Sequence, residues 1–179
     1  MKKAIQILLP ISILVIFLSL MASSKAPERI DAKDIIENVE KHIGKLVETE
    51  GKIIHVCGVD RKKMRLFVED VGSIKIVLED ENAEFDYELN QKNIKVIGIV
   101  KEIRLGKTRI DEMEQNVSLL CSIDKEPCTD TAWVERHRQA GTSEAISQRN
   151  INGLRETMKK TGNDYISIVT IVAKSVNVQ

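Results

Sequence analysis

Aromatic side chains are scarce: one Trp, two Tyr and three Phe in 179 residues, and one of the six, Phe17, falls in an N-terminal apolar run. Proteins that hold single-stranded nucleic acid generally stack successive bases on several rings, so little of the chain suits that mode. Histidine and proline, three of each, are as sparse. The short catalytic signatures are missing: there is no Gly-x-Ser-x-Gly elbow, no Gly-rich phosphate loop and no His-Glu-x-x-His helix. No enzyme and no cofactor are expected. Net charge is lacking too, with 27 Lys+Arg against 27 Asp+Glu. The first 26 residues hold Lys2, Lys3 and Lys25 and no acid, so the rest carries 24 bases and 27 acids, a net of −3. That balance argues against a dedicated nucleic-acid binder, whose affinity comes largely from neutralised phosphates.

What is present is one domain's worth of chain, with 42% hydrophobic and 30% charged residues, enough for a packed core and a soluble surface. Met1-Lys2-Lys3 precedes a 19-residue run, Ala4 to Ala22, without a formal charge. This reads as a signal peptide or an N-terminal membrane anchor over residues 1–26. Gln6 and Pro10 shorten the strongest apolar stretch to residues 11–21, which suits a signal core better than a spanning helix, and Ala22 and Ala26 offer cleavage sites. With the lysines held on the cytoplasmic side, the remainder is expected to be exported, to the periplasm or cell envelope, with membrane contact only if the leader stays uncut.

Residues 27–45 read as a linker and a helix capped by Asp31, with Ile35, Ile36, Val39 and Ile43 at helical spacing and Gly44 at its end. Over 46–115 the rhythm changes to short β-rich runs: Val47 to Val59, Met64 to Glu69, Ser73 to Leu78, Ile94 to Ile103 and Thr108 to Met113. Asp60 to Lys63, Asp70-Val71-Gly72 and Leu105-Gly106-Lys107 are the turns. Met64, Leu66 and Val68 share the core face of the second run and Arg65, Phe67 and Glu69 the other. Gly98 falls where a strongly bent strand needs a missing side chain. Residues 116–179 read as a helical extension with a final strand from Tyr165 to Ala173. Its second helix begins at Ser143 or Glu144, carries Ile146, Ile151, Leu154 and Met158, and stops at Gly162.

These runs have a familiar wording. Glu50-Gly51-Lys52-Ile53-Ile54-His55-Val56-Cys57, the strand Met64 to Asp70, Asn93 to Val100, Ile110 to Glu114 and the closing Gly162 to Ile166 resemble exported bacterial proteins of the oligonucleotide/oligosaccharide-binding (OB) type. The likeness covers most of residues 46–178. It implies a mainly β (α+β) fold: a five-stranded OB-type barrel with an N-terminal helix and a C-terminal helix-plus-strand extension. It implies no reaction, because such barrels host many unrelated sites. The family-typical ligand face is the outside of strands two and three, here Lys63, Arg65, Phe67 and Lys75, extended by Arg61 and Lys62 of the first loop. That set suits single-stranded nucleic acid, an anionic glycan or an envelope protein; a solvated charged hairpin is the plainer reading.

Three cysteines invite a second reading. Cys121 and Cys128 flank Pro127 closely enough for a disulfide in an oxidising compartment, or they are ordinary thiols. His55 and Cys57, two apart on a strand, would share a face and with the other two cysteines could form a metal or redox site. His42 and His137 read as surface residues. Asp111, Glu112 and Glu114 read as charged guards on an exposed edge strand. Trp133, near Arg136 and Arg138, reads as the anchor of the first C-terminal helix on the barrel.

Overall fold

The computed structural model describes residues 26–59 and 61–179; the leader and Asp60 lie outside the described residues. A short strand β1 (Glu28–Arg29) leads into helix α1 (Ala32–Glu37), where the Asp31 carboxylate accepts a hydrogen bond from the Lys33 amide at 2.8 Å. Such a cap satisfies an amide that has no partner inside the helix. The expected single helix breaks at Asn38, and a second turn, α2 (Val39–His42), ends before Gly44 at φ +80°. Ile35 is the buried anchor of this pair, while Ile43 is left exposed.

From Leu46 a period of two governs the chain. Strands β2 (Leu46–Val56), β3 (Lys63–Val68), β4 (Gly72–Leu78) and β5 (Asn93–Gly106) send Val47 and Ile53, Met64 and Leu66, Ile74 and Ile76, and Ile94 and Val96 to one side, all at 0% exposure. Burying eight such chains supplies about 1.5 to 3 kcal/mol each before entropy is charged. Asp70 and Gly72 take positive φ in the β3–β4 turn, as the hairpin reading requires. A single 3-10 turn, Tyr87–Leu89, precedes β5.

The fifth barrel strand is not the expected one. Thr108 to Met113 lies in a helix, α3 (Lys107–Gln115), because its two buried side chains, Ile110 and Met113, stand three apart and need a helical turn to face one way. The place in the barrel is taken by β6 (Tyr165–Val178). It pairs parallel with β4 and antiparallel with β5, while β5 pairs antiparallel with β2. The ring β2-β3-β4-β6-β5 is thereby closed, with β1 added outside β2. This is a closed five-stranded mixed barrel with helices, of the OB type.

Closure depends on Gly98. A Cβ there would sit 2.3 Å from the carbonyl oxygen of Val172, at the register shift between Ile97 and Gly98 where β5 bends against β6. β6 also explains why its sequence is apolar almost throughout: Val169, Ile171 and Ala173 fill the barrel, whereas Ile166 and Ile168 face a second core. That second core joins Leu105, Ile110, Met113 and Leu120 to Ile151 and Leu154 of helix α5 (Ser143–Thr161), which ends at Gly162 with φ +71°. Between α3 and α5 stands α4 (Thr131–Gln139), which has no buried residue. Trp133 is half-buried and meets His137 of the same helix edge-on at 4.8 Å. Among the described residues no helix is long and apolar enough to cross a membrane.

Candidate anion-binding cleft

The outward face of β2–β4 sets cations side by side. Arg65 lies opposite His55 on one neighbour and Lys75 on the other, and Phe67 lies opposite Lys52 and Ser73. Like charges paired across strands repel, so the face needs counter-charges. Most of them come from the strap of residues 116–130 that links α3 to α4.

The strap is a tight hairpin. Leu120 bridges Pro127, the Cys121 amide donates to the Glu126 carbonyl at 2.8 Å, and the Cys128 amide donates to the Leu119 carbonyl at 2.7 Å. Its tip drives Asp124 onto the face, where the buried carboxylate oxygen Oδ2 accepts from Lys63 Nζ at 2.9 Å and from Lys75 Nζ at 3.2 Å. Burial alone would push the Asp124 carboxyl up. The Lys63 hydrogen bond and charge, with the charge of Lys75, outweigh it and hold the group below the usual aspartate range. Lys63 is shifted the other way: burial would lower it, and Asp124 raises it further.

Beside this trio, in which one carboxylate serves two lysines, lies a pair of cations with no carboxylate of its own. Arg65 Nη1 donates to the carbonyl oxygen of Ser122 at 3.1 Å, and Lys125 Nζ donates to the same oxygen at 3.0 Å. Neither forms an ion pair among the described residues. Arg65 Nε is buried with no hydrogen-bond partner. Lys125 is pulled below the usual lysine range by burial and then by the Arg65 charge, and His55 is lowered by burial and the same guanidinium. Phe67, 46% exposed, completes the corner. Arg65, Lys125 and Phe67 all line a cleft of about 960 Å³, whose floor includes Ile54 and Ile123 and whose far wall carries Glu40 and Glu102. Those two acids are ion-paired with Arg104 at 3.0 and 2.7 Å. Lys41, which also lines the cleft, donates to Asn38 at 2.7 Å and forms no ion pair among the described residues, so Arg65 and Lys125 are the strap-side members of its unpaired cations.

Of the six residues assigned to the ligand face, only Arg65 and Phe67 line this cleft. Lys63 and Lys75 lie under the strap, paired with Asp124. Arg61 is ion-paired with Glu84, and Lys62 Nζ donates to the Glu81 carbonyl. The strap residues Ser122, Asp124 and Lys125 are a contribution that strand alternation cannot reveal.

The cysteines divide differently from their spacing. His55 is exposed near the end of β2, and Cys57, just past the strand, is buried. Cys57 packs with Cys121 and Ile123 instead, and all three cysteines are free thiols. No group of three or more His, Cys, Asp or Glu is arranged to hold a metal among the described residues. The acids Asp111, Glu112 and Glu114 guard no edge strand. On α3, Asp111 and Glu114 meet Arg155 at 2.8 and 2.6 Å, which ties α3 to α5, and Glu112 meets Arg109 of the same helix at 3.2 Å. His42, expected at the surface, is buried, its Nε2 3.0 Å from Asp34.

No family model matches the chain, and no curated protein matches it. Among solved structures it is similar to the crystal structure of the S. pombe Stn1-ten1 complex, at 12% identity and a TM-score of 0.31, over 42% of this chain and 65% of that one. The class to which the strand order and closure assign the chain is the OB-type barrel.

Proposed function

We propose that the chain is a non-catalytic, extracytoplasmic binding module whose cleft holds an anionic polymer, a single-stranded nucleic acid or an acidic glycan. Arg65 and Lys125 take an anionic group and Phe67 lies against a ring of the same repeat. The observation that carries this reading is the sharing of one neutral carbonyl oxygen, that of Ser122, by two cations, beside a buried guanidinium N–H without an acceptor. A phosphate, sulfate or carboxylate there supplies the missing acceptor and separates the two repelling charges. Hydrogen bonds to charged groups are worth about 1.5 to 3 kcal/mol each. One ring platform and a small cationic corner suit modest, salt-sensitive affinity. Export rests on the charge and apolar pattern of residues 1–26.

Titration of labelled single-stranded oligonucleotide, of an acidic glycan and of neutral dextran tests it. Binding of at least one polyanion and not of dextran is expected, with Arg65→Ala and Lys125→Ala each weakening it about tenfold, since 1.4 kcal/mol is one decade. Undiminished binding by the double variant, or no polyanion bound by the wild type, overturns the reading. Cell fractionation that recovered full-length chain in the soluble cytoplasm would overturn the location.

A further inference from the structure

The strap that builds the cleft's cationic corner is held to the barrel by the Asp124 ion-pair trio, by the Arg65 bond to Ser122 and by a small core that includes two cysteines. Cys57 and Cys121, each 8% exposed, pack together with Ile123 in a small core of their own, separate from both larger ones. Both are pinned by backbone bonds on either side of the residue. The Cys57 amide donates to the Lys63 carbonyl at 2.9 Å and its carbonyl accepts from Arg61 at 3.1 Å; the Cys121 carbonyl accepts from Lys125 at 3.0 Å. The Cys121 sulfur itself accepts from the Ile123 amide at 3.5 Å, which fixes its direction. Cys128 is placed less well. In the strap hairpin Cys121 stands opposite Glu126 and Cys128 opposite Leu119, so the two are two residues out of register with each other.

We propose that Cys57 and Cys121, not Cys121 and Cys128, are a disulfide-forming pair that fastens the strap to the end of β2. The oxidant is a small disulfide such as glutathione disulfide. One protein thiolate, its proton released to water, attacks the acceptor's S–S bond and expels one thiolate, which is protonated. The second protein thiolate then displaces the other half in the same way. Two protein S–H bonds and one acceptor S–S bond become one protein S–S bond and two small thiols. The cross-link closes a loop on the order of 60 residues and so removes unfolded-state freedom. It also holds Ser122 and Lys125, immediately beyond Cys121, against Arg65. The proposal stands whether or not the cleft takes a polyanion, because it concerns only the sulfurs.

The test uses the full chain equilibrated with glutathione disulfide, alkylated without reduction and digested with trypsin. Cleavage after Lys125 separates Cys121 from Cys128, so the linked peptides identify themselves. The expected result is peptide 53–61 joined to peptide 110–125, alkylated Cys128, and a Tm raised by roughly 10 °C over the reduced protein. Cys128→Ala keeps the link and the shift, and Cys57→Ala loses both. A bond between the peptides of Cys121 and Cys128, or three alkylated thiols after oxidation, overturns the proposal.

Discussion

Asp124 is the residue on which strap and barrel agree. Its carboxylate compensates two lysines that would otherwise face each other with little water between them, their side chains being only 11% and 13% exposed. Removing one partner of a buried pair leaves the other charge unpaired and commonly costs 3 to 5 kcal/mol. Asp124→Asn keeps a hydrogen-bond acceptor and the lysine heads keep some water, so chemical denaturation is expected to show a loss of about 2 to 3 kcal/mol at neutral pH. The same change bares two cations beside Arg65. Polyanion binding should therefore tighten in the folded variant, with a steeper salt dependence, and binding that weakened in step with stability would show that the trio is no barrier to ligand. The pH dependence follows in sign. The folded Asp124 carboxyl is held below its usual range, so the stability it adds is complete above the ordinary aspartate pKa of about 4 and is lost as the pH falls through the lower folded value. Urea melts of wild type and Asp124→Asn should converge on acidification below about pH 4, and a gap that stayed constant down to pH 2 would contradict the pairing.

At the scale of elements, what was legible is what periodicity records. The inward set Met64, Leu66 and Val68 and the outward set Arg65 and Phe67 follow from alternation alone, as does the capped start at Asp31 and the stop at Gly162. The strap was not legible: residues 116–130 carry no period, and the meeting of Asp124 with Lys63, 61 positions away, arises only when the barrel closes. Residues 108–113 were misread because Thr108, Ile110 and Glu112 alternate like a strand, while Ile110 and Met113 also satisfy a helix; Arg155 decides the matter by holding Asp111 and Glu114 on one helical face. His55 and Cys57 differ in exposure because β2 ends at Val56 and Cys57 is covered by Cys121 and Ile123, which spacing does not show. Gly98 was legible for its bend, and it makes a sharp element-level prediction. Alanine there would press its methyl against the Val172 carbonyl, which is backbone and cannot rotate away. A loss of about 3 kcal/mol or more is expected in thermal or urea unfolding. Gly153→Ala, on the open face of α5 with nothing within 4 Å, should instead be neutral or stabilising by a few tenths of a kcal/mol.

For the molecule as a whole, closure from the C-terminal end sets the folding problem. The strand that seals the barrel, Tyr165–Val178, is synthesised after the other four, yet it pairs with β5 along 13 registered positions and lies parallel to β4. Without it, β4 and β5 keep free edges, and Ile76, Val96 and Val100 lose Val169, Ile171 and Ala173 from the shared core. The second core fails with it, since Ile166 and Ile168 are the surface on which α5 rests. A chain stopped after residue 161 therefore loses both cores at once, and an open sheet with unpaired edges is prone to associate. Circular dichroism and size exclusion should find this truncation unfolded or aggregated, with addition in trans of a peptide covering residues 162–179 restoring β-sheet signal by strand complementation. If the truncated chain melted cooperatively as a monomer, residues 46–106 would form a stable unit without β6, and the cleft, whose wall includes Tyr165 and Ile168, would be an addition to that unit rather than a product of barrel closure.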